Sequence, residues 1–359
     1  MRPELLNLHR DCHDDVVERV MSEVMLEVLG SDIVTGPEFL KILTRLSELC
    51  QTFVSTGRFE ETLLVYNTLY THSLSGRFSK ECANTVEYFF HSADFANRFL
   101  DALRTWGRKN RQGAARLSRA LKKSVIKPLL LVTAQETDAA TRKFLLSLLV
   151  EMGRDVVPAV KEELKSDDAE KVRMFLYLLR KCGADSEATH VRKLLGHKNP
   201  RIGTAALRTL IHFRTKDALP YLKIYLESKE PDIRLEAIEL AGTYKVKETL
   251  PVLEATLDRK DLLGTSYAEK MAAVQALGRI GDVSILERFT RILETKSLIN
   301  KGKLEELKVE IFRALRNFPA KDVEPLLRLG IWSDNEEMKA ISSEVLASLY
   351  AEGEGPPDA

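Results

Sequence analysis

The chain has 359 residues, 44% of them hydrophobic and 30% charged, which supplies both a core and a solvated surface and excludes a disordered chain. Its 54 basic residues nearly cancel 53 acidic ones, so a net charge of +1 creates no global field toward nucleic acid or membrane; such a partner would need a local patch. The four cysteines, Cys12, Cys50, Cys82 and Cys182, lie far apart without CxxC spacing, which argues against a disulfide framework or zinc module and fits a reducing compartment.

The opening MRPELLNLHRDCHDD lacks an apolar signal core, and no run of about 18 apolar residues occurs, so a cytoplasmic protein with no membrane partner is expected. His9 and His13 stand four apart around Cys12, but Arg10 occupies the place where a zinc protease needs Glu, and ordinary surface histidines are expected. From Asp14 to Leu29, Val16, Val17, Val20, Met21, Val24, Met25, Val28 and Leu29 recur at helical spacing and predict an amphipathic helix ended by Gly30. Pro37 opens another, with Phe39, Leu40, Leu43, Leu46, Leu49, Cys50 and Phe53 on one face and Gly57 as its stop. The stretch 43–74 resembles a single tetratricopeptide-like hairpin: Leu49, Cys50 and Phe53 on the first helix, Gly57 in the turn, and Thr62, Tyr66 and Leu69 on the second. Two more helices follow between Ser79 and Trp106, with Val86, Phe89, Phe90, Phe95, Phe99, Leu100, Leu103 and Trp106 as core positions.

Beyond residue 125 one interval recurs. Pro128, Pro158, Pro220 and Pro251 are 30, 62 and 31 residues apart, the middle gap being a doubled period. Arg142, Arg173, Gly203, Arg234, Lys270, Lys308 and Lys339 run alongside at steps of 31, 30, 31, 36, 38 and 31. Such self-similarity is the signature of a solenoid. Each unit reads as a proline-bearing helix, a polar turn and a helix with the basic residue that closes at Gly153, Gly183, Phe213, Gly242, Gly281 or Phe318. On Asp167, Val172 and Arg173, and on Ala273, Ala276, Leu277 and Gly278, residues 126–349 resemble HEAT repeats of the short, phycobilisome-lyase-like type. The resemblance implies a right-handed all-α solenoid of stacked antiparallel helix pairs. It also implies that the basic series ties successive turns together before it serves any ligand. The long steps mark two insertions, Leu257–Thr265 and Glu294–Lys303, which would project as loops along one edge.

The expected organisation is an irregular helical region over 1–110, a repeat array over 111–350 and a disordered acidic tail over 351–359. No catalytic residue, cofactor or metal is assigned: no histidine is followed by Glu, as the iron-dependent hydroxylases of this architecture require, and no P-loop, dinucleotide fingerprint or nucleophile elbow occurs. One patch stands out. Between Arg98 and Lys127 ten basic residues accompany a single acid, Asp101. A helix beginning near Gln112 is expected to carry Leu117, Leu121 and Val125 on its apolar face and Arg116, Arg119, Lys123 and Lys127 as a basic stripe beside it. The chain thus reads as a noncatalytic scaffold or adaptor that offers the concave face of its second helices to a protein. Candidate partner-binding residues are Arg108, Lys109, Arg111, Arg116, Arg119, Lys123 and Lys127 of the patch, with Arg259 and Lys260 of the first insertion. Polyanion or nucleic-acid binding through the stripe, with Trp106 adding stacking, is one alternative. Bilin-lyase-like activity, implied by the resemblance alone, is the other.

Overall fold

The computed structural model describes residues 14–31, 33–216, 218–259, 266–296 and 301–351. The acidic tail, His9, Cys12, His13, Lys260 and parts of both insertions lie outside the described residues. The described residues form twenty α-helices and no strand, in antiparallel pairs stacked in series, the plan of an α-solenoid. They fall into two compact units, Met1–Ala184 and Asp185–Ala359.

The first unit holds α1 (Asp14–Leu29), α2 (Gly36–Ser55), α3 (Phe59–Leu74), α4 (Ser79–Thr85), α5 (Ala93–Trp106), α6 (Arg111–Ala120), α7 (Lys122–Gln135), α8 (Ala139–Glu151), α9 (Val157–Glu163) and α10 (Ala169–Lys181). The expected hairpin is α2 with α3, and Leu49, Cys50, Phe53, Thr62, Tyr66 and Leu69 are all buried in it. α3 packs on α6, α2 on α5, and α5 on α7. A π-helical turn, Val86–Phe90, prolongs α4 and sets Phe90 edge-on to Tyr66 (5.3 Å) and Phe95 (5.2 Å). Phe90, Phe95 and Phe99 of this stretch are therefore core, while Tyr88 is exposed.

α1 turns a different face inward than its valine pattern predicts. Val17, Val20 and Val24 are about half exposed, while Ser22 and Leu29 are buried. Polar pairing orients the helix: Arg58, at the start of α3, donates to Glu18 (2.5 Å) and to the Asp15 carbonyl (3.3 Å). A buried guanidinium gains more from these acceptors than the valines would gain from partial cover.

The second unit holds α11 (Ala188–Arg192), α12 (Pro200–His212), α13 (Ala218–Leu226), α14 (Pro231–Thr243), α15 (Leu250–Asp258), α16 (Tyr267–Ile280), α17 (Leu286–Glu294), α18 (Lys301–Ala314), α19 (Ala320–Ile331) and α20 (Glu336–Ala351). The even-numbered second helices pack on one another in series, and each also packs on the short helix preceding it. Small residues set their spacing. A Cβ added at Gly242 would stand 2.6 Å from Ala276 Cα, and one at Gly278 would stand 2.6 Å from Ala314 Cβ.

The ends of the second helices recur with the repeat. Asp138, Asp168, Asn199 and Asn335 cap helices of both units by accepting main-chain N–H bonds of 2.7–3.0 Å. The capping acid of α10 is thus Asp168, next to the Asp167 on which the resemblance rests. After the helices the chain turns through a left-handed residue at Gly153, Gly183, Arg214, Lys245 and Gly281, with φ between 51° and 68°. This shifts two of the closings expected from sequence. Phe213 and Gly242 do not make the turns; Arg214 and Lys245 do, and Gly242 is instead the close-approach residue beneath Ala276. The amides after them complete Schellman turns, Thr215 to Leu210 (3.1 Å) and Val246 to Ala241 (2.9 Å). A side chain in this conformation costs about 1–2 kcal/mol that glycine avoids.

In the basic series, Arg234 is the tie between successive repeats that the resemblance implies. It donates to the carbonyls of Ser228 (2.6 Å) and Lys229 (2.9 Å) and, through Nε (3.0 Å) and Nη2, to Glu269 of α16. Arg173, Lys308 and Lys339 instead pair with acids of their own helices. Glu269 is 3% exposed and also accepts from Arg259, at the end of α15, so one carboxylate holds two cations. Removing it strands both charges. Glu269→Ala is expected to destabilise the second unit by about 3 kcal/mol in urea unfolding; an unchanged midpoint would show that the clamp contributes nothing. Gly242→Ala should also destabilise, by about 1–2 kcal/mol, because the clash with Ala276 backbone outweighs alanine's better helix propensity. A gain in stability would refute the close approach.

Candidate interaction surface

The basic patch runs from the last turn of α5 through α6 into α7. Its frame is the junction of two turns. Trp106 Nε1 donates to the Ser55 carbonyl (3.0 Å) and Asn110 Nδ2 to the Gly57 carbonyl (2.8 Å), while Gly57, at φ 78°, lies so near Trp106 that an added Cβ would stand 2.6 Å from its Cβ. Lys109 Nζ lies 5.0 Å from the centre of the Trp106 ring. Half-buried and engaged at its N–H, Trp106 is a packing residue more than a stacking platform.

The expected single helix is two. The chain leaves helical geometry at Leu121 (ψ 9°), so Arg116 and Arg119 belong to α6 and Lys123 and Lys127 to α7. Leu117, Leu121 and Val125 are all buried, and the Tyr66 hydroxyl donates to the Ala120 carbonyl beside the break (3.1 Å).

Most of the patch is neutralised from within. Arg116 pairs with Glu60 of α3 (3.3 Å), Lys123 with Glu87 of the π-turn (2.8 Å), Lys127 with Glu162 of α9 (2.8 Å) and Lys122 with Asp155 (2.6 Å). Arg111 lies 3.7 Å from Glu151, Arg98 pairs with Asp94 (2.9 Å), and Arg104 donates to Glu136 (2.8 Å). Hydrogen bonds from Lys123 and Lys127 hold the Glu87 and Glu162 carboxyls below the usual carboxylate range, and Glu162 raises Lys127 in return. These exposed pairs contribute little to stability, but together they reduce the field a polyanion would feel. Arg108, Lys109 and Arg119 make no ion pair among the described residues. Two shallow clefts flank the start of α6, one of about 790 Å³ with Arg58, Glu60, Lys109 and Arg111 in its wall, the other of about 410 Å³ with Arg111, Arg116, Arg119 and Glu151. Both mix signs.

Arg259 is 37% exposed at its side chain and is bound to Glu269, within the second unit. Among the described residues, no three His, Cys, Asp or Glu side chains are grouped to hold a metal ion. Burial pushes the thiol of Cys82 up to about 11 and raises those of Cys50 and Cys182, so these three cysteines are thiols at neutral pH and poor nucleophiles. Arg214, Lys216 and Lys245, which are exposed and make no ion pair among the described residues, also fall outside the sequence-derived set. A signal for two of them is present in the sequence, because Arg214 and Lys245 continue, at steps of 31, the turn positions that Gly153 and Gly183 occupy.

Neutralisation from within has two measurable consequences. Replacing Glu60, Glu87 and Glu162 together by Gln should free three cations and delay elution from heparin to clearly higher salt than wild type; coincident elution would mean that the pairs do not screen the patch. Glu136, buried and accepting from the amides of Asp138 (3.1 Å) and Thr137 (2.9 Å) and from Arg104, has its carboxyl lowered from the ordinary 4.5, chiefly by the Asp138 amide. A lowered folded value stabilises fully above 4.5 and is lost as pH falls through it. The gap in thermal midpoint between wild type and Glu136→Gln should therefore narrow on acidification below 4.5, and a constant gap would refute the assignment.

Residues 188–263 match the family model described as HEAT repeats. Similar solved structures include YibA of E. coli, at 14% identity, covering 73% of this chain and 96% of that one with a TM-score of 0.40. The complex of CpcE and CpcF of phycocyanin lyase from Nostoc sp. PCC7120 is similar at 17% identity, covering 77% and 96%, with a TM-score of 0.34. A structure of microtubule polymerases with TOG domain arrays, on tubulin recruitment, follows at 11% identity, 83% of each chain and a TM-score of 0.28. No curated protein matches the chain in sequence.

Proposed function

We propose that this chain, which carries HEAT repeats, is a noncatalytic scaffold that holds a protein partner against the layer formed by its second helices. The observation that carries the reading is the close approach of α14, α16 and α18 at Gly242, Ala276, Gly278 and Ala314. Helices drawn together in one layer lie on the inside of a curved stack, where they make a continuous, stiff surface. Their outward side chains in the second unit are of mixed charge: Arg208 reaches Glu236 (3.4 Å), Arg313 reaches Glu337 (2.7 Å), and Gln275 and Arg279 stand exposed between them. Such a ridge matches the mixed surface of a folded protein better than the uniform charge of a nucleic acid.

Polyanion binding through the first unit is the weaker reading, because Arg116, Lys123 and Lys127 already have carboxylate partners, and among the described residues Arg108, Lys109 and Arg119 are the patch cations that make no ion pair. Affinity capture from the native cell separates the two. A Gln275→Arg/Arg279→Glu variant with unchanged helicity and thermal midpoint should lose a partner that wild type retains, by tenfold or more in recovered amount. Retention by that variant, with loss when Arg116, Arg119 and Lys123 are reversed to Glu, would reject the second-helix surface in favour of the basic patch.

A further inference from the structure

Between the ends of two successive second helices lies a cleft of about 900 Å³. Its walls come from the turn after α12 and the turn after α14, and its floor from the start of α13. Ile211, Ala218 and Leu222 are buried in the floor, and Leu219 and Val246 are half-buried beside them. The imidazole of His212 meets the Tyr244 ring edge to face at 6.1 Å, joining the two helix ends along one side. Among the described residues the rim is cationic: Arg214, Lys216 and Lys245 are exposed and make no ion pair, and the wall holds one acid, Glu248.

Two of these cations occupy left-handed turn positions, Arg214 at φ 54° and Lys245 at φ 51°, where Gly153, Gly183 and Gly281 stand in other repeats. Glycine adopts that conformation freely, so a side chain placed there twice in succession carries a local cost that neither helix needs for its own termination. Ion pairing does not offset it, since neither side chain makes an ion pair among the described residues. What the two positions share is the mouth of the cleft.

We infer that this cleft is a second interaction site, separate from the second-helix ridge, that takes a short extended acidic peptide segment with an aliphatic or aromatic side chain between its acids. Charge complementarity selects an anionic ligand, and the apolar floor selects one that is not charged throughout. Equivalent points on adjacent stacked helices are about 10 Å apart. An extended chain covers that distance in about three residues at roughly 3.3 Å each, so carboxylates at i and i+3 can meet Arg214 and Lys245 while an intervening side chain enters the floor. The next turn of the unit carries Gly281, so the cation pair does not continue into the longer row that a nucleic-acid backbone would follow.

The strained backbone makes the test clean. Arg214→Gly/Lys245→Gly removes both charges and installs the residue the other repeats use, so its thermal midpoint should equal or exceed that of wild type. The probe is an array of fluorescein-labelled nonapeptides with Glu at two positions three apart and Leu, Ile, Phe, Tyr or Trp at each position between, read by fluorescence anisotropy with the full chain. The expected result is binding of a subset that weakens at least tenfold in the double-Gly variant, weakens as steeply when both Glu are replaced by Gln, and is unchanged in Gln275→Arg/Arg279→Glu. Absence of binding across the array overturns the inference. So does equal binding by the double-Gly variant, or loss in that variant of heparin binding with no peptide bound, which would assign the rim to polyanions.

Discussion

The second unit depends on how closely its second helices can approach. Where Gly242 meets Ala276 and Gly278 meets Ala314, no room remains for a larger side chain, so the helix axes are set by backbone and methyl groups. That spacing leaves the short first helices to fill the outer layer, and it brings the turn before α14 within reach of α16. Arg234 and Glu269 exploit the reach: one guanidinium binds two turn carbonyls of its own repeat and a buried carboxylate of the next. Arg259 completes the clamp at the start of the insertion. A nearest-neighbour stack of this kind transmits geometry from repeat to repeat through a few small residues and one ion triad.

Charge in the first unit follows a related logic. A run with ten bases and one acid looks like a binding stripe when laid out in sequence, but the fold brings it up against Glu60, Glu87, Glu151, Asp155 and Glu162, each from another part of the unit. The net field is small and the surface is mixed. In the second unit Arg214 and Lys245, which make no ion pair among the described residues, lie at strained turn positions over an apolar cleft. Local concentration of charge in sequence and free charge in space are thus different quantities.

Much of the fold was legible. Periodicity placed the helices, the α2–α3 hairpin and its buried residues, and the repeat interval from Pro128 onward; the basic ladder was correctly read as structural at Arg234. Three features were not. The valines of α1 face outward because Arg58 needs Glu18 and Asp15, an attraction between residues about forty positions apart. The stripe helix breaks at Leu121, beside the Ala120 carbonyl that accepts from Tyr66 of α3, a contact between distant residues that local propensity does not encode. Gly242 looks like a helix stop but is a packing residue, while the actual stops are Arg214 and Lys245, side chains that sequence rules would place elsewhere.

By itself the sequence determined the class of structure, because burying one apolar face per helix at a fixed period leaves a stacked array of helix pairs as the solution. Which charges are spent inside the molecule, which helix ends stand over a cleft, and where a glycine is a hinge or a contact were decided only by tertiary structure. Those properties depend on distances between residues in different repeats and different helices, and no local pattern encodes such distances.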